Sequence, residues 1–116
     1  MLFLYYPKCS TCQKAQKWLD ENQIAYQGRH IVEQNPTAEE LKSWQKMSGI
    51  ELKSLFNTSG LRYKALNLKE KLPAMSDEEK FALLATDGML VKRPLLIGKD
   101  FVLAGFKPQV WADKLK

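Results

Sequence analysis

The chain opens on an apolar run, MLFLYY, closed by Pro7, and passes at once into an amphipathic stretch and then a second apolar run. Three segments of such different period in so short a span constrain the fold more than any other feature. MLFLYY predicts a strand. From Thr11 to about Asn22, Ala15, Trp18 and Leu19 fall on one helical face, while Lys14, Lys17, Asp20 and Glu21 fall elsewhere. IAYQGRHIV predicts a second, partly alternating strand from Ile24 to about Ile31. A crossover of this length joins parallel strands of one sheet in the right-handed sense.

The middle of the chain changes character. Thr37 with Glu40 three residues on is a capping box, and it starts a helix that runs to about Met47 and stops at Gly49. ELKSLFNTSG and LRYKALNLKEKL predict shorter helical pieces divided by Ser59 and Gly60. Ser76 with Glu79 is a second capping box, opening a helix that ends by Gly88. Strands then return. RPLLIG and DFVLAGF are short apolar runs separated by a turn, a hairpin pattern, and Pro108 suits the first turn of a closing helix carrying Trp111 and Leu115. The reading is an α/β chain, βαβ, helices, ββα, with residues 37–88 as a helical insertion within a single domain of residues 1–116.

Hydrophobic residues make up 45% and charged residues 27%, a composition of folded rather than disordered chains. No apolar run approaches the roughly 20 residues of a membrane helix, and MLFLYY lacks the features of a signal peptide, so a cytoplasmic protein without a membrane partner is expected. The net charge of +5 comes from scattered basic residues with no block of like charge and no nucleic-acid motif, so direct nucleic-acid binding is not expected.

The only two cysteines, Cys9 and Cys12, stand at the mouth of the first helix. In a reducing compartment such a pair reads as redox or metal chemistry rather than as a structural staple. Cys9 precedes the helix and Cys12 lies in its first turn, where unsatisfied N–H groups and the helix dipole favour a thiolate. Ser10 and Gln13 form a further candidate capping box, which leaves the first helical residue open, and Lys8 and Lys14 add positive charge. Cys9 is the candidate attacking thiol and Cys12 the resolving one. Two plainer readings stand beside this: half of a zinc knuckle, or a pair of small buried side chains. Zinc wants four ligands, and the chain offers no further cysteine and one histidine, His30, so neither a metal nor any other bound cofactor is expected. His30 and the three tryptophans read as structural, whereas Arg93, directly before Pro94 at a strand start, is a candidate for the site.

Three blocks, YYPKCSTCQKAQKWL, LFNTSGLRYKALNL and DGMLVKRPLLI, resemble the arsenate reductase-like family, which includes the bacterial regulator Spx. The resemblance implies a thioredoxin-like mixed sheet with a helical insertion. It implies Cys9 as nucleophile, Arg93 as an arginine on the oxyanion, and Pro94 as a cis-proline that positions substrate beside Cys9. Arsenate reductases of the family use two further arginines, where this chain has Asn57 and Gly105. Neither replaces a planar, bidentate cation, so arsenate chemistry is expected to be weakened, with Arg62 and Lys92 as nearby candidates to compensate. The implied activity is thiol–disulfide oxidoreduction through Cys9 and Cys12, with glutathione, glutaredoxin or thioredoxin as electron donor. The alternative is an Spx-like switch that binds the C-terminal domain of the RNA polymerase α subunit, with Gly49 as part of the partner surface.

Overall fold

The computed structural model describes residues 1–116. Strand β1 (Leu2–Tyr5) leads into helix α1 (Ser10–Glu21) and strand β2 (Gln27–His30). Helices α2 (Ala38–Ser48), α3 (Leu61–Ala65), α4 (Leu68–Lys71) and α5 (Asp77–Leu84) follow, interspersed with short 3₁₀ turns. Strands β3 (Leu95–Ile97) and β4 (Val102–Ala104) and helix α6 (Pro108–Leu115) complete the chain. The sheet has the order β2-β1-β3-β4, with β1 parallel to β2 and antiparallel to β3, and β3 antiparallel to β4. This is the mixed α/β sheet that the resemblance implies.

Alternation along the strands divides the interior into two cores. Phe3 and Leu96 point to one face, where they meet Ala15 and Leu19 of α1 and Trp111 of α6. Leu4, Leu95, Ile97 and Val102 point to the other, where the helices between β2 and β3 supply Leu41, Tyr63, Leu68, Phe81 and Leu84. The inserted helices therefore cover one face of the sheet, and α1 and α6 cover the other.

Both capping boxes of the insertion are present: the Thr37 and Ser76 side chains each cap their helix, and their backbone N–H groups donate in return to the carboxylates of Glu40 and Glu79. Gly49 ends α2 with φ 72°, the left-handed conformation that glycine adopts without steric cost. Two boundaries differ from expectation. Strand β2 starts at Gln27 rather than Ile24, because pairing begins only where Gln27 lies opposite Leu2. Ile24 instead closes α1, its N–H donating to the Leu19 carbonyl, and packs with Tyr26 on the smaller core. Helix α5 ends at Leu84 rather than near Gly88, and Gly88 starts a buried 3₁₀ turn packed against the Ile31 backbone.

Candidate functional site

Strand β1 ends at Tyr5, and the chain turns through Pro7 so that the Cys9 N–H donates to the Tyr6 carbonyl at 3.0 Å. That turn delivers Cys9 as the N-cap of α1, with extended backbone (φ −86°, ψ 114°). The predicted Ser10–Gln13 capping box does not form. Cys9 occupies the capping position itself: its Sγ accepts the Cys12 N–H at 3.3 Å, and its carbonyl accepts the Gln13 N–H. Gln13 reaches back to the Pro7 carbonyl instead. A sulfur in this role meets the positive end of the helix, which favours the anion.

The two cysteines differ in surroundings. Cys9 is partly exposed and Cys12 is buried, and both are free thiols. Burial works against a Cys9 thiolate, but hydrogen bonds from the Cys12 side chain and N–H, then the hydrogen bond and charge of Arg93, outweigh it and hold Cys9 below its ordinary value. Cys12 is pushed up to about 12, first by burial, then by its hydrogen bond to Cys9 and repulsion from it. Lys8 and Lys14 are exposed and are not among the groups acting on Cys9, so the expected lysine contribution is replaced by that of Arg93.

Arg93 lies in the bend that leads into β3. The Arg93–Pro94 peptide is cis. The guanidinium lies over the Tyr6 ring, 5.2 Å from its centroid. Its Nε and Nη1 are buried without a hydrogen-bond partner. Pro94 is buried, and its carbonyl accepts the Gly105 N–H at 2.8 Å, tying the Arg93 segment to the end of β4. Cys9 and Arg93 open onto a cavity of about 660 Å³ whose far wall is the 51–60 segment of the insertion. That wall is held by backbone pairing: Lys92 N–H to the Leu55 carbonyl, Asn57 N–H to the Leu90 carbonyl, and a bridge between Phe56 and Val91.

Of the residues singled out from sequence, Cys9, Arg93, Asn57, Gly105 and Lys92 line this cavity. Cys12 backs it through its bonds to Cys9. Arg62 is not brought in, because it pairs with Asp87 at 2.9 Å, so it does not stand in for a missing arginine. Gly49 lies outside the cavity lining, exposed at the end of α2. His30 accepts the N–H groups of Val32 and Glu33 and shapes a turn. Sequence reasoning missed Tyr6, Glu51, Lys53 and Lys107. They come from three separate segments, and no spacing announces that they meet.

The family model described as the ArsC family matches residues 4–113. The chain belongs to the ArsC family. An ArsC family related protein from Bacteroides fragilis is 62% identical in its crystal structure, with a TM-score of 0.94 over 99% of this chain and 96% of that one. The uncharacterised protein YusI of Bacillus subtilis (strain 168) is 53% identical over 92% of this chain and 91% of its own length. The regulatory protein MgsR of the same organism is 31% identical over 93% of this chain and 84% of its own. More distant ArsC-like relatives include global transcriptional regulators named Spx and a solved arsenate reductase from Vibrio cholerae. No helix is long and apolar enough to cross a membrane.

Proposed function

We propose that this ArsC family protein is a cytoplasmic thiol–disulfide oxidoreductase in which Cys9 attacks and Cys12 resolves. One observation carries the reading: the Cys9 sulfur caps α1, accepts the Cys12 N–H and sits with Arg93 at a cavity, while Cys12 is buried and retains its proton. The Cys9 thiolate attacks one sulfur of a substrate disulfide. The S–S bond breaks, and the departing thiolate takes a proton. With Cys9 in a mixed disulfide, its hydrogen bond and charge no longer hold the Cys12 proton, which then leaves more easily. Cys12 attacks the Cys9 sulfur, releases the second thiol and leaves a Cys9–Cys12 disulfide. Two electrons have passed to the substrate. Glutathione, glutaredoxin or thioredoxin returns them, and no bound cofactor takes part. Arg93 stabilises the thiolate and receives an anionic group of the substrate, and Pro94 positions the chain beside Cys9. Arsenate reduction is a minor activity on this reading, since Asn57 and Gly105 supply no charge.

The 31% identity to a regulatory protein favours a second reading. There the same pair is a redox switch, and Gly49 helps to bind the C-terminal domain of the RNA polymerase α subunit. One comparison separates the two. The reduced protein is oxidised with 2-hydroxyethyl disulfide and then supplied with NADPH and either a glutathione–glutaredoxin or a thioredoxin system. An oxidoreductase loses two hydrogens per chain by mass spectrometry and turns over continuously. A regulator oxidises without turnover and binds the α-subunit domain in only one redox state.

A further inference from the structure

The cavity beside Cys9 is much larger than an oxyanion needs. Its volume of about 660 Å³ falls in the range of sites for whole organic ligands. A tetrahedral oxyanion is no bigger than a few water molecules of about 30 Å³ each. The lining is also strongly polarised. Lys53, Lys92, Arg93 and Lys107 face it with a single carboxylate, Glu51. None of the five belongs to any of the ion pairs within the protein; Arg93 acts on Cys9, and the charges of Lys53, Lys92, Lys107 and Glu51 remain free for a ligand.

Lys92 shows how this set arises. Gly105, with φ 74°, has no side chain at the place where the arsenate reductase resemblance puts a third arginine. A Cβ there would lie 3.2 Å from Cε of Lys92, so the lysine stem occupies that space. The exchange replaces a rigid fork with a mobile point charge. A fork suits the fixed geometry of a tetrahedral oxyanion, whereas mobile ammonium groups suit carboxylates spread along a flexible molecule.

We propose that the cavity binds a low-molecular-weight organic disulfide carrying more carboxylates than ammonium groups, with Lys92 meeting a carboxylate and Glu51 meeting the ammonium. This rests on the thiol–disulfide reading and names its substrate class. Cys9 attacks the substrate sulfur nearer the cavity floor, one half of the substrate leaves as a thiol, and the other half stays on Cys9 with its charges in the lysine ring until Cys12 displaces it. The substrate disulfide is reduced to two thiols, and the protein dithiol is oxidised.

The test mixes the reduced protein rapidly with glutathione disulfide, dithiodiglycolate, cystamine and uncharged 2-hydroxyethyl disulfide. Each rate constant is taken as a ratio to that of the uncharged probe. An exposed charge pair contributes up to about 1 kcal/mol, or about fivefold. Lys92→Ala is expected to lower the ratios for glutathione disulfide and dithiodiglycolate by about fivefold at low salt, with the effect shrinking as salt rises. Glu51→Gln is expected to lower the ratio for glutathione disulfide while raising that for dithiodiglycolate. Lys99→Ala, on the exposed turn between β3 and β4, serves as the control for net charge alone. Equal effects of Lys92→Ala and Lys99→Ala would overturn the proposal, as would a Glu51→Gln variant that raises both ratios together. A protein that is not oxidised even by the uncharged probe overturns the oxidoreductase reading itself, and this proposal with it.

Discussion

Glu40 fixes α2 to β2, and its removal makes a sharp test of how the insertion is held. Its carboxylate accepts the Thr37 N–H at 3.0 Å, closing the capping box, and receives two bonds from Arg29, 2.9 Å to Oε1 and 2.6 Å to Oε2. Arg29 also donates to the Gln34 and Asn35 carbonyls, so one ion pair gathers the whole connection between strand and helix. The Arg29 hydrogen bond, partly opposed by burial and reinforced by the bond from Thr37, lowers the Glu40 carboxyl from 4.5 to about 2. At face value that difference is worth about 3 kcal/mol. The Glu40 side chain is 34% exposed, so solvent screening trims the ionic part to about 1–2 kcal/mol. Because the folded-state value is depressed, the stabilisation is present above pH 4.5 and is lost as the pH falls toward 2, with more than half gone by about pH 3. Glu40→Gln keeps the shape and removes the charge. Urea unfolding at pH 7 is expected to show a loss of about 1–2 kcal/mol relative to wild type, and at pH 3 less than half of that. An equal loss at both pH values would refute the ionic argument and assign the effect to packing.

Three further outcomes are expected. In Cys12→Ser, the rate of Cys9 alkylation rises with pH through a midpoint below the ordinary thiol value of about 8.5, and adding Arg93→Ala moves that midpoint up; an unmoved midpoint removes Arg93 from thiolate stabilisation. In Cys9→Ser, Cys12 alkylates slowly at neutral pH because burial remains after its sulfur partner is gone, and rapid labelling there would show that the pair's roles are reversed. Gly88→Ala destabilises by about 2–3 kcal/mol in urea unfolding, since the added Cβ would stand 2.0 Å from the Ile31 carbonyl oxygen and backbone has little room to yield; a change under about 0.5 kcal/mol would contradict that packing.

Local signals in the sequence proved legible and contact-dependent ones did not. The capping boxes at Thr37 and Ser76 and the Gly49 stop were readable because each is satisfied within one helical turn. The β3–β4 hairpin was readable because its apolar runs and turn are contiguous. The start of β2 was not, since it depends on where β1 offers a partner, and the same residues that alternate like a strand serve equally well as a helix-closing loop. The Ser10 capping box failed for a related reason: the turn at Pro7 sets Cys9 one residue earlier at the capping position, where a sulfur suffices as acceptor. At the site, Cys9, Cys12 and Arg93 stand in motifs that can be quoted from the chain. Arg62 shows the limit of proximity in sequence, since Asp87, which is distant along the chain, claims its guanidinium. Glu51, Lys53 and Lys107 could be found only by folding, because the 51–53 stretch and Lys107 lie far from Cys9 along the chain and nothing about any one of them is unusual.

The division of the interior into two cores has a consequence for how such a chain can change. Cys9 and Cys12 hang from β1 and α1, and α1 is anchored by the smaller core of Phe3, Ala15, Leu19, Leu96 and Trp111. The opposite wall of the cavity, with Glu51 and Lys53, belongs to the segment that the larger core secures through Leu55, Phe56 and Val91. The two sides of the cavity thus rest on different cores, joined through β1 and β3, whose alternate residues serve both. Substitutions in the larger core can shift or reshape the wall of Glu51 and Lys53 while Cys9 keeps its place as the cap of α1. What the cavity admits can therefore change without disturbing the sulfur that caps α1.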